Sequence, residues 1–195
     1  MNRDCLWFKL LKAGVRGNMF NIIKHMYEET TASVRHQGML SDTFKCSLGV
    51  RQGESISPFL FNIFLNDLDE TLAARQFQGV NIGNVNIKTL LYADDLAILA
   101  ETREDLQVGL DILYDYCNRW KLVINTEKTS IIIFRRGGMV TVNDHFFYGD
   151  KTLNVLEKIS YLGLTLSSRG KFAQTQSNLS DRGIRAMHKL VSDTH

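Results

Sequence analysis

Two adjacent aspartates, Asp94 and Asp95, stand in the middle of an otherwise apolar and β-prone run, residues 87–100. Neighbouring carboxylates repel each other unless a cation or solvent compensates their charge. Carboxylate oxygens suit hard cations such as Mg²⁺, and enzymes that transfer nucleotidyl groups commonly hold two such ions with aspartates. Because Asp is also a favoured residue of hairpin turns, the pair alone leaves open both a metal site and a plain polar turn.

The elements around this pair are predicted from local pattern. The run itself indicates a strand, an acidic turn and a second strand. Upstream, Ser57 suits the N-cap and Pro58 the first position of a helix, whose apolar stripe extends to about Arg75. Downstream, Thr102 is expected to cap a helix that runs through Trp120. The carboxylates therefore belong to a predicted hairpin between two amphipathic helices in the sequence.

The rest of the chain alternates short predicted helices and strands. Apolar periodicity predicts opening helices at 4–12 and 18–29, with Asp4 as the N-cap of the first. A hairpin should follow, with strands at 31–37 and 44–48 and a turn at Gly38. Later strands are predicted at Val123, 131–134, 141–147 and 161–166, before a last amphipathic helix with Phe172, Leu179, Met187 and Leu190. Hairpins rather than crossovers favour an α+β fold, an antiparallel sheet backed by helices.

Composition narrows the function less than the motifs do. The 195 residues are 44% hydrophobic and can bury one substantial core. A formal net charge of +2 gives no sign of nucleic-acid binding, which needs clustered cations. Three dispersed cysteines favour a reducing, intracellular setting, in the nucleus or the cytoplasm. No apolar stretch approaches the roughly 18 residues of a membrane span, so no membrane partner is expected.

Four separated motifs resemble those of one family. Residues 91–96 (LYADDL) resemble the Tyr-x-Asp-Asp hairpin of reverse transcriptases, and residues 49–62 (GVRQGESISPFLFN) are similar to the segment before the palm helix of these enzymes. Residues 120–129 (WKLVINTEKT) resemble the segment after that helix, and Tyr161-Leu162-Gly163 the hairpin that grips the primer end. The chain thus resembles a reverse transcriptase, and its opening LWFKLL and Asp67-containing helix favour the LINE-type (non-long-terminal-repeat) retrotransposons over intron maturases.

The resemblance implies a substrate set and a site. An RNA template, a DNA primer and deoxynucleoside triphosphates would be the partners, with Mg²⁺, or alternatively Mn²⁺, as the cofactor. Catalytic roles fall on Asp94 and Asp95, as metal ligands, and on Lys128, near the incoming triphosphate. Nucleotide or template contacts fall on Arg51, Gln52, Gly53 and Tyr92, and the primer grip on Tyr161, Leu162 and Gly163.

Physical arguments make these roles reasonable, and each has a plainer alternative. Gly53 permits a close backbone approach to a base or sugar, while Arg51 and Gln52 offer hydrogen-bond donors. A cation at Lys128 can stabilise or protonate a leaving pyrophosphate. Without the family match, Gly53 merely turns the chain, and Arg51 and Lys128 are solvated cations.

The resemblance also implies a domain organisation and a further catalytic carboxylate that this sequence does not contain. A palm-like region with partial fingers would span 1–168, and the start of a thumb or connection helix 169–195. This last segment carries cations that are candidates for phosphate contact, namely Arg169, Lys171, Arg182, Arg185 and Lys189. Family members use a third carboxylate on an earlier strand, which we expect before Met1, on an upstream segment. We therefore expect the chain alone to polymerise weakly or not at all.

Two classes of function other than a polymerase could also use these residues. A catalytically inactive, nucleic-acid-binding remnant of a mobile element is the alternative, because the first catalytic carboxylate lies outside the sequence. An unrelated metal-dependent phosphatase or nuclease would need a supporting histidine or carboxylate cluster, and the sequence offers none elsewhere. The order of the motifs argues against that last class.

Overall fold

The computed structural model describes residues 1–135 and 144–170, together with positions 180 and 184. The chain divides into two compact units, Met1–Ile124 and Asn125–His195, which we call the N-terminal and the C-terminal unit. The predicted domain boundary after residue 168 stays a prediction. The predicted last helix and the cations at 171, 182, 185 and 189 lie outside the described residues. No helix in the described part of the chain is long and apolar enough to cross a membrane.

Two helices open the N-terminal unit, α1 (Arg3–Lys12) and α2 (Gly17–Glu28), as predicted. The prediction that Asp4 caps α1 was wrong. The side chain of Asn2 accepts a hydrogen bond from the backbone N–H of Cys5, at 3.1 Å, and so satisfies one of the free amides at the helix start. Asp4 lies in the first turn instead, where its charge still suits the positive end of the helix.

The helix predicted from Ser57 to about Arg75 is broken in two. The structure has α3 (Ser57–Leu65) and α4 (Leu68–Ala74), with the break at Asn66 and Asp67. Ser57 is not the N-cap either, since Ile56 holds that position without a side-chain cap. The Ser57 hydroxyl donates to the Arg51 carbonyl at 2.6 Å, so it ties the preceding segment to the helix.

The strands of the N-terminal unit form hairpins. The predicted hairpin after α2 is confirmed but interrupted: β1 (Thr31–Ala32) pairs with β4 (Phe44–Lys45), and inside it β2 (Arg35–His36) pairs with β3 (Met39–Leu40). The hairpin β5 (Val80–Ile82) and β6 (Val85–Ile87) was not predicted. The predicted strand, turn and strand around the aspartates are confirmed as β7 (Thr89–Tyr92) and β8 (Asp95–Ile98).

Helix α5 (Arg103–Trp120) follows this hairpin, as predicted, and its Thr102 hydroxyl accepts from the Asp105 N–H at 3.1 Å. Its apolar face buries Leu110, Leu113 and Cys117. Near its N-terminus, the Asp105 carboxylate accepts the backbone N–H groups of Gln78 and Gly79, at 3.0 and 3.1 Å. Helix α5 therefore holds the segment that leads into β5.

The C-terminal unit is built from short strands. In it β9 (Ser130–Ile131) is parallel to β11 (Lys151–Val155), which pairs antiparallel with β10 (Phe146–Tyr148). A hairpin of β12 (Lys158–Tyr161) and β13 (Leu164–Ser167) follows. The predicted strand at Val123 was wrong: that side chain is 93% exposed and its backbone pairs with no strand. The one predicted at 131–134 shrinks to β9, and residues 141–143 of another lie outside the described part.

Antiparallel pairing, as predicted, joins every pair of strands that the structure describes except β9 and β11. The strands described here form six small sheets of two or three strands each, not one continuous sheet. The α+β class is therefore confirmed in its coarse form, as helices mixed with small, mostly antiparallel sheets.

A buried lysine lies at the centre of the N-terminal unit. Lys9 is 3% exposed, and its ammonium donates to the carboxylate of Asp67 and to the hydroxyl of Tyr116, the latter at 3.0 Å. The Tyr116 hydroxyl donates to the same Asp67 carboxylate at 2.7 Å. The ammonium also lies 3.8 Å from the centroid of the Trp120 ring, a favourable cation–π distance. This Lys9 cluster joins α1, the break between α3 and α4, and α5.

The electrostatics of the Lys9 cluster follow from burial and hydrogen bonding. Burial lowers the pKa of Lys9, and the hydrogen bond to Asp67 offsets this only in part. Burial alone would raise the pKa of Asp67, but the hydrogen bonds from Lys9 and Tyr116 outweigh it and lower that pKa. Burial and the adjacent Asp67 raise the pKa of Tyr116. Asp67 is therefore ionised at neutral pH and holds the tyrosine as a neutral donor.

We predict that Asp67→Asn lowers the free energy of unfolding at pH 7 by about 3–5 kcal/mol, because it leaves the buried ammonium without a counter-charge. A carboxylate whose pKa is lowered on folding stabilises the native state above its unfolded pKa, about 3.9, and less as the pH falls through the native value. The difference in the free energy of unfolding between the unmodified chain and Asp67→Asn, measured by urea unfolding, should therefore become smaller below about pH 4.

Asp115→Asn is the matched control, since Asp115 forms a 2.6 Å ion pair with Arg75 in which both side chains are about half exposed. This variant should cost less than about 1 kcal/mol. The role given to the Lys9 cluster would be contradicted if Asp67→Asn lowered the free energy of unfolding no more than the control does. It would also be contradicted if the loss caused by Asp67→Asn were independent of pH.

Candidate active site

The paired carboxylates lie at the tip of the β7–β8 hairpin. Tyr92 is opposite Asp95 in the register, so Ala93 and Asp94 form a two-residue turn. Tyr92, Asp94 and Asp95 are all exposed. The structure thus brings three predicted site residues together at one exposed point.

The turn at this tip is strained. Ala93 has φ of +52°, in the left-handed region that costs a residue with a Cβ roughly 1–2 kcal/mol. Two-residue hairpin turns usually place glycine, asparagine or aspartate at such a position. Strain of this kind persists only where the surrounding structure imposes it, and it clusters at active sites.

A hydrogen bond fixes the base of the hairpin to helix α4. The Thr89 hydroxyl, at the start of β7, donates to Asp69 Oδ1 at 2.6 Å. The ladder continues below it, where the Leu99 N–H donates to the Lys88 carbonyl at 2.9 Å. Because α4 begins at the break held by the Lys9 cluster, the hairpin is connected to the core through two residues of the same helix region, Asp67 and Asp69.

The donor set at the tip suits a hard divalent cation. Two adjacent carboxylates supply oxygen ligands, which Mg²⁺ and Mn²⁺ prefer. Among residues 1–135 and 144–170, no group of three or more His, Cys, Asp and Glu side chains is placed to hold a metal ion. The pair therefore fits part of a metal site, and the other ligands would have to be water, substrate or a further carboxylate.

The segment before α3 contains the predicted nucleotide contacts. Gln52 and Gly53 are exposed, and Gly53 has φ of +86° with open space where a Cβ would lie. Glycine is required there by the backbone conformation and not by crowding. Arg51 differs from its neighbours, because its guanidinium donates to Glu54 Oε1 at 2.7 Å and to the Met26 carbonyl at 2.6 Å.

The remaining predicted site residues belong to the C-terminal unit. Lys128 is exposed in a turn, where its backbone N–H donates to the Asn125 carbonyl at 3.2 Å. Leu162 and Gly163 form the turn between β12 and β13, and Tyr161, the last residue of β12, is opposite Leu164. The turn residues Leu162 and Gly163 have φ of +49° and +80°.

Sequence reasoning missed the residues that position this site. Lys9, Asp67 and Tyr116 were not predicted to meet, and neither were Thr89 and Asp69. One signal was available: Lys9 follows Leu6 by three positions and precedes Leu10, so it falls on the buried stripe of a predicted helix. A lysine at such a position needs a partner, although its identity is set by the tertiary structure.

A family model described as reverse transcriptase (RNA-dependent DNA polymerase) matches residues 2–166. The chain belongs to this family. The match covers the hairpin of the paired aspartates, the segment 51–53, Lys128 and the hairpin of Tyr161. The predicted resemblance to reverse transcriptases is confirmed.

Relatives of this reverse transcriptase domain are proteins of retrotransposons. It is 28% identical over 165 residues to "Retrovirus-related Pol polyprotein from type-2 retrotransposable element R2DM" of Drosophila melanogaster, covering 81% of this chain and 15% of that protein. It is 27% identical to "RNA-directed DNA polymerase from mobile element jockey" of Drosophila melanogaster, and this match covers 83% of this chain and 18% of that protein. It is also 27% identical to "Retrovirus-related Pol polyprotein from type-1 retrotransposable element R2" of Popillia japonica, and this match covers 90% of this chain and 30% of that protein.

The chain spans less than a third of the length of each of these three relatives. The predicted assignment to the non-long-terminal-repeat retrotransposons is confirmed by the R2 and jockey proteins among them.

We predict that Leu162→Asn in this reverse transcriptase domain raises the free energy of unfolding by about 1 kcal/mol. Asparagine tolerates a positive φ better than leucine, and Asn-Gly is the preferred pair for a turn with two positive φ values. Thermal or urea unfolding measures the change. The matched control is Leu156→Asn, an exposed leucine of the same unit without a positive φ, which should bring no gain. Equal effects of the two substitutions would show that the turn is unstrained.

Proposed function

We propose that this chain is part of an RNA-directed DNA polymerase, which joins a deoxynucleoside triphosphate to a primer 3′-hydroxyl opposite an RNA template. The observation that carries the proposal is the exposed carboxylate pair at the tip of a strained, anchored hairpin inside a reverse transcriptase domain. The jockey relative bears this activity in its name. Template, primer and nucleotide are the substrates that the family implies.

In this proposal Asp94 and Asp95 hold Mg²⁺, or Mn²⁺ in its place. Bound divalent ions supply activation of the attacking hydroxyl and compensation of charge on the leaving pyrophosphate. The hairpin would position the two carboxylates, because the hydrogen bond between Thr89 and Asp69 fixes its base to α4. A carboxylate pair on a hairpin that is held at its base loses less conformational freedom when it binds an ion, which favours a productive geometry.

The other predicted residues receive roles around this centre. Gln52, Gly53 and Tyr92 are exposed and would contact the incoming nucleotide or the template. Lys128 would neutralise or protonate the pyrophosphate, and the hairpin of Tyr161, Leu162 and Gly163 would hold the primer end. The exposed side chain of Leu162, kept in a strained turn, suits a contact with another molecule.

A larger arrangement belongs to the same proposal. The β7–β8 hairpin would be the catalytic hairpin of a palm-like antiparallel sheet backed by α3, α4 and α5. The domain would span 1–168, with the start of a thumb or connection helix at 169–195. A third carboxylate, on a strand of an upstream segment, would complete the metal site, since the described residues bring only two together at the hairpin tip. An intracellular location, in the nucleus or the cytoplasm, stays a prediction.

A second candidate function is nucleic-acid binding without catalysis. The incomplete carboxylate set among the described residues favours it, because a two-metal centre with a missing bridging ligand loses several kcal/mol of transition-state stabilisation. Such a remnant would keep the substrate contacts of the family and lose the chemistry.

Primer extension on an RNA template with Mg²⁺ distinguishes the two candidates. We predict that extension, measured in the chain alone and in a version extended upstream, falls at least about a hundredfold in Asp94→Asn, because a metal-binding charge is lost. Asp150→Asn is the control, since Asp150 is an exposed aspartate in another hairpin turn and should leave extension unchanged.

Each result has a distinct meaning. Extension by the chain that depends on Asp94 supports the polymerase and excludes the remnant. Extension only in the longer version supports a polymerase whose site needs the upstream segment. No extension by either folded protein, with template binding retained, contradicts the polymerase and favours the remnant.

A further inference from the structure

Two arginines meet one buried tyrosine at the end of α2. Tyr27 is 1% exposed, and the guanidinium carbons of Arg3 and Arg51 lie 5.2 and 5.6 Å from the centroid of its ring. Arg3 donates to the Tyr27 carbonyl at 2.5 Å, and Arg51 donates to the Met26 carbonyl at 2.6 Å. Both cations thus satisfy carbonyls at the negative end of the helix.

The same tyrosine reaches the far side of the Gly53 turn. Its hydroxyl donates to Glu54 Oε2 at 3.1 Å, while Arg51 donates to Glu54 Oε1 at 2.7 Å. The residues on both sides of Gln52 and Gly53 are therefore tied to α2. We call Arg3, Tyr27, Arg51 and Glu54 the tyrosine clamp.

The guanidinium of Arg51 is held by contacts within the protein, and 39% of the side chain is exposed. Its two terminal nitrogens bond to Glu54 and Met26, and its Nε is buried with no hydrogen-bond partner among the residues described. Gln52 and Gly53, by contrast, are exposed. The clamp holds the ends of this short segment and leaves its middle open.

We propose that Arg51 and Tyr27 are positioning residues, which fix Gln52 and Gly53 for the incoming nucleotide through Glu54 and do not themselves touch it. This inference rests on the proposed polymerase function, and it assigns to the tyrosine clamp the ordering of Gln52 and Gly53. A glycine turn has many accessible conformations, and holding its ends reduces the entropy lost on binding. Lysine is a poor substitute for Arg51, because its single nitrogen does not reproduce the two separate guanidinium nitrogens that bond to Glu54 and Met26.

A double-mutant cycle on nucleotide binding tests the clamp. The chain is bound to an RNA template and a dideoxy-terminated DNA primer, and the dissociation constant of the matching deoxynucleoside triphosphate is measured with Ca²⁺ or Mg²⁺ present. Arg51→Met, Tyr27→Phe and the double variant form the cycle. Arg75→Met is the matched control, because that arginine also forms a 2.6 Å pair with a carboxylate, on α5 and not at the turn.

We expect each single variant to raise the nucleotide dissociation constant about tenfold, and the double variant to raise it by about the same factor, because the residues act through one group. Template–primer affinity should change by less than about twofold, which a general loss of structure would not give. The control should bind the nucleotide normally. If Arg51→Met does not fold, Glu54→Gln gives the same test, because it retains an acceptor and removes the charge that Arg51 pairs with.

Three results would overturn the inference. An effect of Arg51→Met without any effect of Tyr27→Phe or Glu54→Gln would mean that the guanidinium contacts the nucleotide itself. Normal nucleotide binding by all variants would leave the polymerase proposal intact and remove the clamp from it. Absence of nucleotide binding on template–primer, both by the unmodified chain and by the version extended upstream, would reject the clamp and the polymerase proposal together.

Discussion

The burial of one ammonium group, that of Lys9, is the constraint on which the N-terminal unit depends. Removing such a charge from water costs several kcal/mol unless an anion and hydrogen bonds replace the water. Asp67 supplies the anion, and Tyr116 and the ring of Trp120 complete the surroundings. These groups come from three parts of the chain, so the charge is compensated only when α1, the break before α4, and α5 are assembled together. A buried charge of this kind favours one arrangement of these elements, because any other leaves it uncompensated.

The candidate active site is positioned by contacts that start from this cluster. Asp67 ends the break in the helix, and Asp69, two residues later, accepts the hydrogen bond from Thr89 that fixes the β7–β8 hairpin. The strained turn at Ala93 can persist because its base is held. The turn at Gly53 is held in a similar way, from the end of α2. At Ala93 and at Gly53 alike, an exposed turn is held by buried or hydrogen-bonded neighbours. A rigid scaffold commonly orients functional groups on loops in this way.

Local pattern predicted much of this fold. Helices α1, α2 and α5 and the β7–β8 hairpin follow from periodicity, and the chemistry of the aspartate pair follows from residue type. The break at Asp67 was not predictable, because the apolar stripe of α3 and α4 is continuous and the partner of Asp67, Lys9, is 58 positions away. The cap at Asn2 was missed because Asn2 and Asp4 are equally good caps and only the register decides. The contact of Arg51 with α2 was not predictable for the same reason as the break, since the Met26 carbonyl that it bonds to lies 25 positions away.

The central claim is that the tip of the β7–β8 hairpin binds a divalent cation through Asp94 and Asp95. Titration with Mn²⁺ while backbone amide resonances are observed tests it directly, because the paramagnetic ion broadens the signals nearest to it. We predict that broadening begins at residues 92–96 and requires a much higher Mn²⁺ concentration in the variant Asp94→Asn/Asp95→Asn. Broadening that is centred elsewhere, or that is unchanged in the variant, would contradict the claim.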